Sequence, residues 1–256
     1  MDRVVTALAD QHAELSGLVG GLDEAGWQTP SRCEGWSVSD VVLHLAQTDQ
    51  MALDSLGGRL AEGMSAWDEV LSAGGAANVD DGAGLMVERE RGASGAEVFE
   101  RWRTGAGAMV EAFEAGDLSR KVTWVVGELS ARTLASTRLA ECWIHTGDIA
   151  GGLGVELEPT DRLWHIARLA WRTLPYAFAS AGRTLAGPVV FRLRAPNGDL
   201  WTFEADEAED APLTTVEGDA LELCQIAGRR IPGAESDLEA EGPDAEAVLD
   251  LVRTFA

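Results

Sequence analysis

Apolar residues recur three and four positions apart through most of the first 180 residues of this 256-residue chain. That spacing puts them on one side of an α-helix, and this side must be buried against other helices. The pattern predicts helices over residues 3–22, 37–56, 58–72, 95–115, 134–150 and 161–181. The small and acidic stretch 74–84 predicts an exposed loop. The sequence therefore predicts a helical bundle.

The pattern changes after Gly187-Pro188. Residues 189–194 and 200–204 resemble strands, and the Pro-Asn-Gly-Asp sequence between them predicts a hairpin turn. A third strand is expected over 213–216, followed by helices over 218–228 and 243–255. The predicted fold class is α+β, with a helical bundle over residues 1–185 and a small α+β domain over 186–256.

Charge and cysteine content narrow the function classes. The formal net charge is −23, and Lys121 is the only lysine. A chain this acidic repels phosphate backbones and anionic lipids, so we expect no nucleic-acid or membrane partner. The chain shows no secretion signal, and its three cysteines have no CxxC spacing, so we expect a reducing, cytoplasmic location. A small-molecule substrate is the expected partner, and the oligomeric state is not indicated.

Two segments carry potential metal ligands on otherwise apolar helices. Residues 33–45 contain His44, and residues 141–148 place Glu141, His145 and Asp148 on one helix face. Two imidazoles and a carboxylate can hold a divalent metal with a coordination position open. Spacing alone does not distinguish a metal site from ordinary carboxylate–histidine pairs on a helix surface. Three of the four histidines follow a carboxylate by four residues.

These segments also carry a family resemblance. The patterns Cys-x-Gly-Trp-Ser-Val-x-Asp-x-x-x-His-Leu at residues 33–45 and Glu-x-x-x-His-x-x-Asp at 141–148 resemble the DinB-like superfamily. They are most similar to its mycothiol-dependent maleylpyruvate isomerase branch, and the resemblance spans nearly the whole chain. It implies a DinB-like helical bundle in which His44, Glu141 and His145 bind a divalent metal, with zinc expected.

The resemblance also implies a cofactor thiol and further functional residues. Mycothiol would bind the metal as a thiolate and add to an activated alkene, giving isomerisation or S-conjugation. The second domain would help to close the thiol pocket, and an arginine near its Gly-Arg motif would support activity. By position this arginine is Arg229, with its neighbour Arg230 as the alternative. An arginine on the surface near a helix end, without a functional role, is an equally good interpretation of either residue.

The sequence positions of two more residues make them candidates for a functional role. Asp148 can orient a ligand histidine or handle a proton, although a charge at a helix end is an equal explanation. His12 lies in line with Leu8 and Leu15, so it points into the bundle. A hydrogen-bonded core histidine is its commoner explanation, and a catalytic role is the alternative if the metal cavity opens toward this helix.

Three functions remain open at this point. The first is a metal-dependent isomerase or S-transferase that uses mycothiol. The second is a thiol-independent hydrolase, lyase or cyclase that acts through bound water or a substrate carbonyl. The third is a non-catalytic protein that binds a hydrophobic metabolite.

Overall fold

The computed structural model describes residues 2–75, 78–125, 127–205 and 213–254. Internal contacts divide the chain into two compact units, Met1–Leu157 and Glu158–Ala256. The first is helical with a small hairpin, and the second combines helices with a four-stranded sheet, so the predicted α+β class is confirmed. Contacts assign the helix Leu163–Ser180 to the second unit. The domain division between residues 185 and 186 stays a prediction.

Four long helices make up most of the first unit. Their bounds are α1 Arg3–Val19, α3 Val38–Leu56, α7 Gly95–Ala115 and α8 Ala131–Leu153, with the short α2 Glu24–Trp27 between the first two. Helix α1 packs on α7 and α8, and α3 packs on the same two helices. Their facing sides bury Leu8, Leu45, Trp102 and Leu139 completely. The helix that carries His44 is thereby fixed against the helix that carries Glu141 and His145.

A capping box formed by Ser37 and Asp40 begins α3. Ser37 Oγ accepts a hydrogen bond from Asp40 N at 3.2 Å, and Asp40 Oδ2 accepts one from Ser37 N at 2.9 Å. These bonds satisfy amide groups that have no partner within the helix. Asp40 also forms an ion pair with Arg91. The capping role accounts for Asp40 and sets where the helix of His44 begins.

The region between α3 and α7 differs from the prediction. The predicted helix over 58–72 is two short helices, α4 Leu60–Ser65 and α5 Asp68–Gly74. The predicted loop over 74–84 is wrong for most of its length, because α6 spans Val79–Glu90; residues 76 and 77 lie outside the described residues. Asn78 caps α6 by accepting from Asp81 N at 2.9 Å, a helix-start signal that the acidic composition obscures.

A hairpin separates α7 from α8. It consists of β1 Lys121–Trp124 and β2 Gly127–Ser130, paired antiparallel. Residues 122–126 form an apolar run for which no element was predicted, and its first three residues lie in β1. Val126 lies outside the described residues. Val122 and Trp124 are buried, which explains the apolar character of the run.

Helix α8 continues past residue 150, where the sequence predicted its end. It ends at Leu153, and Gly154 takes the left-handed cap conformation with φ of 70°. Gly151 and Gly152 instead permit a close approach of the loop before α3. A Cβ atom on Gly152 would lie 2.3 Å from the Pro30 carbonyl oxygen, and one on Gly151 would lie 2.1 Å from Arg32 Nε.

The second unit contains α9 Leu163–Ser180, β3 Val189–Arg194, β4 Leu200–Phe203, β5 Thr214–Asp219, α10 Ala220–Ala227, β6 Glu239–Glu241 and α11 Ala245–Leu251. The predicted hairpin is confirmed, since β3 and β4 pair antiparallel across the Pro-Asn-Gly-Asp turn. The strand order is β4-β3-β5-β6, and β3 pairs with β5 in parallel. Strand β6, which has only three residues, was not predicted from the sequence.

Candidate metal centre

Three potential ligands from two helices meet inside the first unit. His44 Nε2 lies 2.9 Å from Glu141 Oε1, and His145 Nε2 lies 3.4 Å from the same oxygen. The two imidazole rings are 5.0 Å apart and nearly perpendicular. All three side chains are buried, and their nearest nitrogen and oxygen atoms lie within 4.8 Å of one another. One ion could therefore contact all three residues.

The charges in this cluster compensate one another. Burial raises the pKa of Glu141, but hydrogen bonds from His145 and His44 outweigh burial and hold it well below its usual range. Burial lowers the pKa of His145, yet its bonds with Asp148, Cys33 and Glu141 keep it well above the usual value. Burial lowers the pKa of His44, and Glu141 offsets this only in part. A buried carboxylate thus lies between two imidazoles whose pKa values are shifted in opposite directions.

The other nitrogen of His145 is held by Asp148. His145 Nδ1 lies 3.0 Å from Asp148 Oδ2, and the carboxylate is almost fully buried. A carboxylate only accepts, so Nδ1 donates the hydrogen and Nε2 faces Glu141. This pairing is typical of metal sites in which a carboxylate orients a ligand histidine. The geometry favours the orienting role for Asp148 over that of a simple charge at a helix end.

A cavity adjoins the loop that precedes α3. It has a volume of about 790 Å³, within the range of small-molecule sites. Cys33 and Trp36 line it, and each also contacts one of the candidate ligands. The Trp36 ring lies 5.2 Å from the His44 ring, and Cys33 Sγ lies 3.6 Å from His145 Nδ1. Among the described residues that line the cavity, none is one of the three candidate ligands.

His12 is buried as the helix pattern predicted, but the structure does not bring it to the cluster. Its ring packs edge-on against Trp102 at 5.7 Å, and its Nε2 has no hydrogen-bond partner among the described residues. No described hydrogen bond or ring contact joins it to His44, Glu141 or His145. Burial and then the charge of Arg138 lower its pKa from 6.5 to about 4. A catalytic role for His12 stays a prediction.

The low pKa of His12 predicts a loss of stability in acid. Between pH 6.5 and 4 the unfolded chain binds a proton at this residue that the folded protein does not bind, so the free energy of unfolding falls as pH falls. At about 1.4 kcal/mol per pKa unit, the loss approaches about 3 kcal/mol at pH 4. Urea unfolding of wild type and His12→Gln across this range isolates the effect. Parallel pH curves for the two proteins would contradict it.

Arg229 and Arg230 belong to the second unit, just after α10. Gly228 follows the last helical residue, and Arg229 then adopts φ of 58°, the one positive φ of a non-glycine residue within the described ranges. Such backbone is strained for a side chain other than glycine and is enriched at functional positions. Arg230 donates from Nη1 to the Gly228 carbonyl at 2.8 Å. The functional assignment of either arginine stays a prediction.

Sequence reasoning missed two parts of the site. It gave Cys33 no role in the site, yet Cys33 Sγ lies 3.6 Å from His145 Nδ1. It also passed over Arg138, which lies one turn before Glu141 on α8 and is 2% exposed. Arg138 Nε lies 3.3 Å from Asp49 Oδ1, and its Nη2 donates to Thr48 Oγ1 at 3.0 Å. An arginine among apolar helix positions was the available signal for this buried ion pair.

Comparisons with known proteins agree with this architecture. The family described as "Mycothiol maleylpyruvate isomerase N-terminal domain" matches residues 8–150. Two proteins named as uncharacterized, from two strains of Mycobacterium tuberculosis, are 34% identical to this chain over 255 residues, covering 97% of it and 95% of their own length.

Two solved structures share the fold. A crystal structure of the mycothiol-dependent maleylpyruvate isomerase aligns with a TM-score of 0.58 at 17% identity, covering 95% of this chain and 92% of that one. A structure of a histidine-to-alanine mutant of that isomerase aligns with a TM-score of 0.57 at 18% identity and the same coverage. Within the described residues no helix is long and apolar enough to cross a membrane.

Proposed function

The chain belongs to the mycothiol maleylpyruvate isomerase family, and we propose that it is a zinc-dependent isomerase or S-transferase that uses a thiol as co-substrate. The observation that carries the proposal is the buried set of His44, Glu141 and His145, whose donor atoms converge from two helices. Family membership supports thiol chemistry, and the donor set supports the metal.

The donor set suits zinc on its own chemistry. Two imidazole nitrogens and one carboxylate oxygen are a common ligand set of catalytic zinc, and three protein ligands leave a position for a substrate. The negative charge of the Glu141 carboxylate would also offset part of the positive charge of a divalent cation. A zinc ion held there would supply a Lewis-acidic position that lowers the pKa of a bound thiol.

The residues around the three candidate ligands hold them in place for a metal ion. Asp148 holds the proton of His145 at Nδ1, so Nε2 points toward Glu141 and His44. The Trp36 ring packs beside His44, with 5.2 Å between the ring centres. Packing of α3 on α8 keeps the two histidines 5.0 Å apart between ring centres. These groups are fixed by the fold, so little reorganisation is needed when a ligand binds.

Turnover with and without the thiol tests the proposal. Zinc-loaded protein is assayed for isomerisation of maleylpyruvate, and for S-conjugation to an electron-poor alkene, in the presence and absence of mycothiol. We expect product only with the thiol, and none with Glu141→Gln. Turnover that is unchanged without any thiol would contradict the proposal and favour a thiol-independent hydrolase, lyase or cyclase.

A further inference from the structure

Cys33 has no part in the chemistry described above, yet it touches two residues of the metal centre. Its Sγ lies 3.1 Å from Asp148 Oδ2 and 3.6 Å from His145 Nδ1. The same carboxylate oxygen lies 3.0 Å from His145 Nδ1. Thiol, carboxylate and imidazole nitrogen therefore converge on the side of the His145 ring that faces away from Glu141.

The loop that carries Cys33 is fastened to α8 at this point. Arg32 N donates to the backbone oxygen of Asp148 at 3.1 Å, and Cys33 N donates to Ser31 Oγ at 3.1 Å. Gly151 and Gly152 leave room for this loop, since side chains there would overlap it. These contacts hold the backbone at Cys33 beside Asp148, within reach of the hydrogen bond that its thiol makes to the carboxylate.

The hydrogen bonds at Asp148 have a fixed direction. An ionised carboxylate has acceptors only, so Oδ2 accepts from the thiol of Cys33 and from Nδ1–H of His145. A neutral imidazole has one lone pair, and with the hydrogen on Nδ1 that lone pair lies on Nε2. Cys33 therefore restrains the carboxylate that determines which nitrogen of His145 is available to a metal.

We propose that Cys33 is a positioning residue of the metal centre: its thiol donates to Asp148 and so keeps His145 oriented toward Glu141 and His44. The proposal rests on the proposed metal site and extends it to the loop before α3. Cys33, His145 and Asp148 also lie close enough together to hold an ion themselves. That arrangement would use Nδ1 of His145 and the Cys33 thiolate as ligands, and the number of zinc ions bound by the Cys33 variants distinguishes it from the positioning role.

Zinc affinity of two Cys33 variants tests this role. Cys33→Ala removes the donor, whereas Cys33→Ser keeps a hydroxyl donor at nearly the same place. Loss of a residue that orients a metal ligand typically weakens binding about 10–100-fold, so we expect Cys33→Ala to raise the Kd for Zn²⁺ by about tenfold. Cys33→Ser should stay within about threefold of wild type, because hydroxyl donation to a carboxylate replaces that of the thiol. Competition with a chromogenic chelator measures both.

Cys224→Ala is the control for loss of a buried thiol, since Cys224 lies in the second unit and its Sγ faces the Leu163 carbonyl. Its zinc affinity should equal that of wild type. Cys33→Ala with wild-type affinity would overturn the proposal. Equal loss of zinc affinity in Cys33→Ala and Cys33→Ser would also overturn it. If wild type binds two zinc ions per chain and both variants bind one, Cys33 is a metal ligand and the proposal is likewise overturned.

A second readout uses the metal-free protein, and it separates this proposal from the proposed function. In nitrogen NMR the Nδ1–H of His145 should exchange slowly with solvent in wild type and Cys33→Ser, and faster in Cys33→Ala. Equal exchange in all three would overturn the positioning role even if zinc binds. A wild-type chain that binds no zinc but shows this difference would instead overturn the proposed function alone.

Discussion

Replacing His44 by alanine is expected to abolish metal retention while the helical bundle stays folded. The variant leaves two ligands for an ion that requires three from the protein. Loss of a residue that only orients a ligand already costs about 10–100-fold in affinity, so loss of a ligand should cost more than about a hundredfold. Folding should persist, because Glu141 keeps its ion pair with His145 and the apolar face of α3 is unchanged.

Metal content after purification, measured by elemental analysis, checks this expectation, with helicity measured by circular dichroism. His165→Ala is the matched control, because it removes a histidine from α9 in the second unit. It should retain one metal ion per chain. Wild-type metal content in folded His44→Ala would show that His44 is not a ligand.

Replacing Arg138 by methionine is expected to lower the free energy of unfolding by about 3–5 kcal/mol at pH 8. Both Arg138 and its partner Asp49 are 2% exposed, so the variant leaves a buried carboxylate without its cation. Removal of one member of a buried ion pair typically has an effect of this size. Urea unfolding followed by circular dichroism measures it.

The pH dependence of this variant has a defined sign. Burial raises the pKa of Asp49 to about 6 even beside Arg138, and removal of the cation raises it further. The folded variant therefore binds a proton at Asp49 more readily than the unfolded chain, and its stability rises as pH falls through that pKa. The destabilisation at pH 5 should be smaller than at pH 8. The double variant Arg138→Met with Asp49→Asn should recover most of the lost free energy of unfolding. If the free energy of unfolding of Arg138→Met at pH 8 is within about 1 kcal/mol of that of wild type, this explanation is wrong.

The sequence predicted those parts of the fold that depend on local rules. The helix of His44 begins where the sequence predicted it, because Ser37 and Asp40 form a capping box within one helical turn. The helix over residues 95–115 and the strand over 189–194 match the structure residue for residue. The strand is a short run rich in apolar residues, and a turn sequence follows it. Helix α6 was missed because small and acidic residues outweighed the cap signal of Asn78 in a composition-based interpretation.

Contacts between distant residues could not be derived in this way. His44 and Glu141 are 97 positions apart, and a family motif rather than periodicity linked them. Cys33 is 112 positions from His145, so a search for histidines near cysteines in sequence could not find the contact. Gly151 and Gly152 follow the predicted helix end at residue 150, but their role depends on a loop more than 100 residues earlier. Parallel pairing of β3 with β5 likewise has no local signal.

The most direct test of the central claim is a crystal structure of the zinc-loaded protein with diffraction data collected on both sides of the zinc absorption edge. The account predicts one anomalous peak per chain, in bonding contact with His44 Nε2, His145 Nε2 and a carboxylate oxygen of Glu141, with at least one further position open. A peak at the Cys33 and Asp148 side of His145, or no peak among these residues in a protein saturated with zinc, would contradict it.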